Sequence, residues 1–431
     1  MSNNRRIFLK QLSGFAIGTA VLPNLSQASI LPVNGTPINR FSSLMPPYNE
    51  GELFWKFVRD QFPLKKSRVY FNNGTMGPSP YPVIEMVKKG LIEANTEGDY
   101  SGQEIAREKL AAFLNVKISE ISLTHNTTEG INIVAWGLPL KKGDEVIMTT
   151  HEHVGNAAPW LNVAKLRGII IKTFTPALTA KENLNLIHAL ITPKTKAIAV
   201  PHITCTTGIV LPVKEIAALG KLKHLFVCID GAHGLGSTFI DLQELGCDFY
   251  ASCGHKWLMG PLGTGFLYVK EEMLNILQPY YVGGNAIEKW ELSEKKQQLE
   301  SYVPTAHKYD YGTQNPYIYQ GMAAAADFVS LIGVKRVAER ARALTTNLQE
   351  QLLYLDNKIE MLSPTEPESR GTMIGFKLKN MDYQEFGKKA SENFFRIRLV
   401  PESDLNSIRI STHIYNSFDE INEFIDFVKK V

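Results

Sequence analysis

One lysine of the 431 residues stands apart by its neighbours. The run Asp248-Phe249-Tyr250-Ala251-Ser252-Cys253-Gly254-His255-Lys256-Trp257 carries an apolar stretch into Lys256, and Gly260-Pro261-Leu262-Gly263-Thr264-Gly265 follows it. Most lysines are solvated surface charges. This one is delivered by a strand end into a glycine-rich turn that permits close backbone approach. Desolvation there favours the free amine, the form in which a lysine makes an imine. A second stretch, Phe226-Val227-Cys228-Ile229-Asp230-Gly231-Ala232-His233-Gly234, places a carboxylate at the end of a buried strand. A parallel sheet binds ligands at that end, and a buried acid needs a cationic or hydrogen-bonding partner. A protonated pyridine nitrogen would serve; capping the following turn is the more ordinary role for such an Asp. The third stretch, Leu123-Thr124-His125-Asn126-Thr127-Thr128-Glu129-Gly130, reads as strand, polar turn and helix start. It either caps the helix or offers backbone N–H groups and hydroxyls to a phosphate.

These residues need a scaffold, and the pattern supplies one. Short apolar runs at 121–124, 145–149, 169–173, 197–201, 226–229, 249–252 and 264–269 read as strands. Amphipathic stretches at 106–114, 130–137, 154–167 and 213–222 lie between most of them. That alternation predicts βαβ units and a mostly parallel sheet. After about residue 316 the pattern changes to long helices at 318–332 and 334–355, then short strands at 373–378 and 408–411 and a last helix from Phe418. The predicted organisation is a leader at 1–28, an extended arm and a helix within 29–67, a large domain at 68–316 and a smaller α+β domain at 317–431.

Composition excludes several classes. Hydrophobic residues make up 44% and charged residues 21%, an ordinary globular balance. The formal charge is +3, and it vanishes without Arg5, Arg6 and Lys10 of the first 28 residues. A balanced chain gives no electrostatic reason to expect nucleic acid or an anionic membrane surface as partner. The four cysteines (Cys205, Cys228, Cys247, Cys253) have no metal-ligand or disulfide-framework spacing. Asn4-Arg5-Arg6-Ile7-Phe8-Leu9-Lys10 resembles a twin-arginine export signal. The apolar stretch after it is too short to span a bilayer, and Ser26-Gln27-Ala28 suits cleavage after Ala28. The expectation is a periplasmic protein, exported folded by the twin-arginine machinery and not held in the membrane.

A strand-end lysine, a strand-end aspartate and a phosphate-type helix start together describe a site for pyridoxal 5′-phosphate. The chain resembles class V aminotransferase-fold enzymes, and the isopenicillin N epimerase-like branch most. Supporting stretches are Tyr70-Phe71-Asn72-Asn73-Gly74, Glu152-His153-Val154-Gly155-Asn156, Thr206-Thr207-Gly208, Gly312-Thr313-Gln314-Asn315 and Ile408-Arg409-Ile410-Ser411-Thr412-His413. The resemblance implies a fold-type I architecture with a seven-stranded sheet. It implies that Lys256 holds the cofactor and then carries protons, that Asp230 pairs with the pyridine nitrogen, and that His153 stacks on the ring. His233 would reach the phenolic oxygen. Thr127, Thr128 and His255 would bind the phosphate, and Thr313 would reach the phosphate of a neighbouring subunit in a homodimer with shared sites. Thr206 and Asn73 belong to the implied cofactor and substrate contacts. Arg409 would anchor a substrate carboxylate, its planar fork matching the two oxygens. Cys253 stands where the branch usually has a phosphate-binding serine, which shifts that contact to Ser252 or the backbone. Segment 395–407 contains no cysteine, so cysteine desulfurase activity is disfavoured. The expected activity is at the α-carbon of an amino acid or an amino-acid-containing metabolite, by transamination or epimerisation in preference to β/γ-elimination. A cofactor-binding protein without turnover is the alternative, and retention of Lys256, Asp230 and Arg409 together argues against it.

Overall fold

Seven strands, each except the edge strand β3 buried along most of its length, form the central sheet of the computed structural model, which describes residues 36–99 and 101–431. They are β1 (Ile121–Thr124), β2 (Glu145–Thr149), β3 (Ile170–Phe174), β4 (Thr195–Pro201), β5 (Phe226–Asp230), β6 (Phe249–Cys253) and β7 (Gly265–Val269), in the order β1-β7-β6-β5-β4-β2-β3. Neighbours from β6 through β3 pair in parallel, and β7 runs antiparallel to both β6 and β1. The reason is legible in β5 and β6, where alternate side chains enter opposite cores, as the two-residue period of a strand requires. Val227, Ile229 and Tyr250 face one core, which also holds Ala323–Ala326 and Phe328. Cys228, Phe249 and Ala251 face the other with Ile131, Val134, Trp160 and Val163. Two helices on that second face matter for the site: α1 (Thr127–Gly137) and α2 (Val154–Arg167). The sheet is therefore covered on both sides, which is why its strands read as near-continuous apolar runs.

Two long helices follow, α3 (Pro316–Ile332) and α4 (Val334–Leu353). A second sheet of four strands comes next: β8 (Ile359–Met361), β9 (Met373–Leu378), β10 (Arg398–Val400) and β11 (Ser407–Ser411), in the order β8-β9-β11-β10 and antiparallel throughout. The last helix, α5 (Phe418–Lys430), packs on α4 and this sheet through Ile421, Phe424 and Val428, against Leu344, Leu348, Ile374 and Ile408. The chain has the predicted class, a mostly parallel seven-stranded sheet flanked by helices with a smaller α+β assembly after it.

The arm departs from expectation. Residues read as extended form a helix, Pro37–Leu44, started by the Thr36 side chain accepting from Asn39 N at 3.3 Å and by Pro37 at its first position. A Thr cap with Pro behind it is a strong helix start. The helix buries Ile38 and Phe41, with the Phe41 ring 4.5 Å from that of Phe328. The expected export leader, residues 1–28, lies outside the described residues.

Candidate active site

The C-terminal ends of β5 and β6 and the start of α1 converge on one cleft of about 680 Å³ including its open mouth. β6 delivers Lys256 to it. The turn that carries the lysine is pinned on both sides, by Gly254 N donating to Thr264 O (2.9 Å) and by Gly77 N donating to His255 O (2.7 Å). A Cβ at Gly77 would lie 1.8 Å from the Lys256 carbonyl oxygen, so only glycine allows this approach. Lys256 Nζ stands 3.3 Å from Nε2 of His233.

Asp230 ends β5, and its Oδ1 accepts from Ala232 N at 2.9 Å. Burial pushes its carboxyl up, against the Ala232 N–H and Lys256, which favour the ionised form. A cationic ring nitrogen would complete that balance. At α1, Asn126 caps the helix by accepting from Glu129 N at 3.0 Å, leaving Thr127 and Thr128 in the first turn. Thr127 Oγ1 and the Nδ1 of His255 are buried without a hydrogen-bond partner. Both residues line the cleft. Buried polar atoms are rarely left unpaired, and Thr127 stands at a helix N-terminus, where the dipole and free N–H groups attract an anion.

His153 caps α2, its Nδ1 accepting from Gly155 N at 3.0 Å. Burial, with Lys256 and Arg398 nearby, pushes the imidazole down to about 4, so the ring is neutral and free to stack. Arg409 lies on β11, 1% exposed. Its Nη1 donates to Cys205 O (2.6 Å) and its Nη2 to Thr75 Oγ1 (3.1 Å), while its Nε is buried and unpaired. Burial, then the neighbouring Arg398, pushes the guanidinium down to about 9.

The cleft thus gathers Lys256, Asp230, His233, His255, Thr127, Thr128, His153 and Arg409. Four expected residues do not line it. Ser252 Oγ donates to Gly231 O at 2.9 Å, so of the pair Ser252–Cys253 it is the Cys253 thiol that faces the cleft. Thr206 is fully buried with its hydroxyl unpartnered. Asn73 turns its Oδ1 to the Tyr415 hydroxyl, 2.9 Å away. Thr313 is exposed. The sequence reading missed Thr75, which braces Arg409, and Arg398, which faces Arg409 in register across β10 and β11. Arg398 is held by Glu402 and also lines the cleft.

Glu152, next to His153, holds the β2–α2 turn. Its Oε1 accepts from Thr149 N (3.0 Å) and Thr149 Oγ1 (2.8 Å), and its Oε2 from Asn156 Nδ2 (2.7 Å). Burial pushes this carboxyl up to about 8. The folded chain then binds a proton that the unfolded chain has released, so this residue's contribution to stability falls as pH rises from about 4.5 to about 8. Glu152→Gln removes that slope, and the idle Oδ1 of Asn156 can accept from the new amide once the Asn156 side chain flips. Urea midpoints at pH 5 and pH 8 are expected to show the variant gaining on the wild type towards pH 8. A gap that moves the other way would refute the assignment.

A lysine at one strand end, a carboxylate at the next and an anion-ready helix start fit pyridoxal phosphate in each of its three parts, the carbonyl, the ring nitrogen and the phosphate. Fold and site define a fold-type I pyridoxal-phosphate protein. The aminotransferase class-V family matches residues 94–424, and the chain belongs to it. A probable cysteine desulfurase of Methanothermobacter thermautotrophicus is 30% identical over 387 residues, covering 84% of this chain and 94% of the relative. The isopenicillin N epimerase of Amycolatopsis lactamdurans is 28% identical over 392 residues, covering 88% and 98%. Among solved structures, the cystine C–S lyase C-DES in complex with its reaction product cysteine persulfide aligns with TM-score 0.78 and 27% identity over 85% of this chain and 99% of that one. The same lyase is also known with glycine covalently linked to its PLP cofactor.

These findings correct one expectation. Relatives from Pyrococcus abyssi, Xylella fastidiosa and Serratia proteamaculans, at 28–29% identity, also carry the desulfurase name. The preference for transamination or epimerisation, and the disfavouring of desulfurase activity on the strength of a cysteine-free segment, are overturned. A cysteine-free segment 395–407 bears only on an acceptor within that segment.

Proposed function

We propose that this protein breaks the Cβ–S bond of a cysteine-type amino acid held through pyridoxal phosphate. The observation that carries the reading is the meeting of Lys256, Asp230 and Arg409 in one cleft, in a chain similar to desulfurases and a cystine lyase. The cofactor, when bound, supplies the electron sink. The chain's own residues do the rest. Arg409 takes the α-carboxylate through its free N–H groups, and Lys256 moves the α-proton. Asp230 keeps the ring nitrogen protonated, and His153 covers the ring face.

The sulfur leaves to something the chain does not supply. The four cysteines are buried, and burial pushes each thiol up, that of Cys205 to about 11. None is poised as the thiolate that attack on sulfur requires. A disulfide substrate answers this, because the sulfur released from Cβ keeps the electron pair of the broken bond and, still bonded to the second sulfur, departs as a persulfide anion. From cystine, loss of the α-proton and of the persulfide anion, followed by addition of water, yields pyruvate, ammonia and cysteine persulfide. The cofactor-loaded protein is expected to release pyruvate and sulfane sulfur in equal amounts from L-cystine. Absence of any sulfur product from both L-cystine and L-cysteine at full cofactor load would sink the reading. A pair of copies sharing their sites belongs to the same proposal, supported by the exposure of Thr313 away from its own cleft, as does export by the twin-arginine route, supported by residues 4–10.

A further inference from the structure

Trp257 follows the cofactor lysine and is fully buried. Its indole Nε1 lies 3.1 Å from Nδ1 of His233. An indole N–H donates and cannot accept, so Nδ1 of His233 is the acceptor. Burial, joined by Lys256, Arg409, His153 and Arg398, keeps this imidazole neutral. A neutral ring that accepts at Nδ1 carries its proton on Nε2, the nitrogen that faces Lys256 Nζ. The contact is then satisfied by a nitrogen with a lone pair, as a free amine or an imine has.

The same logic fixes the residue behind. His413 Nδ1 accepts from Ile414 N at 2.8 Å, which leaves its Nε2–H to donate to the Trp257 carbonyl at 2.8 Å. The loop after His233 closes on Trp257 as well, since a Cβ at Gly236 would lie 2.5 Å from that carbonyl. The indole is held from two sides, and its direction is not free.

We propose that Trp257 is a positioning residue that locks His233 in the Nε2–H tautomer, so that the ring presents a donor, never an acceptor, to the cofactor's phenolic oxygen and the lysine nitrogen. The proposal rests on the pyridoxal phosphate site and is independent of which sulfur substrate is used. Ring-nitrogen NMR of histidine-labelled full-length protein is expected to show His233 neutral with its proton on Nε2 from about pH 5.5 to 8.5, a range across which a free imidazole changes its charge. In the loaded protein the visible band titrates with the lysine–cofactor linkage. A donor to the phenolic oxygen favours the deprotonated form, so Trp257→Phe is expected to raise the midpoint by about one unit, a tenfold change. An amide donates without a tautomer to choose, so adding Trp257→Phe to His233→Gln leaves the midpoint where His233→Gln alone puts it. An Nδ1–H tautomer in the wild type, or an equal shift from Trp257→Phe with and without His233→Gln, overturns the proposal. The wild-type tautomer is measured without any variant, so the test stands even where Trp257→Phe fails to fold. A failed cofactor assignment would look different: no visible band, with the tautomer intact.

Discussion

Lys256→Ala is expected to abolish covalent attachment of the cofactor and to lower kcat/KM by at least about 10³-fold, since the variant loses both the nucleophile and the proton carrier. The fold should survive. The turn is held by main-chain bonds, Gly77 N to His255 O and Gly254 N to Thr264 O, and neither involves the lysine side chain. The lysine side chain is half-buried at the cleft, so its loss opens space to solvent and creates no closed void. A melting temperature within a few degrees of wild type is the expected control. Non-covalent cofactor binding should persist, because the helix start at Thr127–Thr128 and the carboxylate of Asp230 remain. Borohydride trapping and peptide mapping read the outcome. A label on a different lysine, with full turnover retained, would show that the strand-end argument chose the wrong residue.

The most legible strands share one property, burial on both faces. β5 and β6 announce themselves because every residue from Val227 to Asp230 and from Phe249 to Cys253 is enclosed. The hairpin of Ile287–Leu292 with Gln297–Tyr302 was not legible. Its first strand is exposed along nearly its whole length, so no two-residue period marks it. The helix Tyr81–Glu97 was missed because Gly90 interrupts it and Tyr81, Leu91 and Ile92 are exposed, which blurs its apolar face. Gly90 is there for packing, since a Cβ would lie 2.3 Å from the Tyr317 ring of α3.

The site divides the same way. Lys256 and Asp230 carry their signal locally, at strand ends. The bracing of Arg409 by Thr75 spans 334 residues, and no window of sequence contains it. Arg398 sits on a three-residue strand too short to read. The Trp257–His233 bond joins a candidate histidine to a tryptophan that carried no signal of its own, and only the folded geometry shows which nitrogen accepts.

Arg409→Met is expected to lower kcat/KM by about 10²-fold or more, because two charge-assisted bonds to a carboxylate contribute about 3 kcal/mol together. The loss should fall mainly on KM. Arg409→Lys keeps the charge but not the fork, and should recover little. Stability of the substrate-free protein should move the other way or not at all. Arg409 is buried, its Nε has no partner, and the nearby carboxylate of Glu402 is engaged by Arg398. Without substrate the guanidinium is a desolvated charge short of a counter-ion, and a neutral side chain of similar length removes that cost. The opposing terms are the 2.6 Å bond to the Cys205 carbonyl and the 3.1 Å bond to the Thr75 hydroxyl, contacts that water entering the cleft can replace. Thermal melts with and without substrate separate the two effects. Wild type should gain stability with ligand concentration as RT ln(1 + [L]/Kd), whereas Arg409→Met should start at or above the wild-type melting point and gain almost nothing. A variant that melts well below wild type yet keeps its full ligand-induced shift would make Arg409 a structural residue and leave the substrate carboxylate to Arg398.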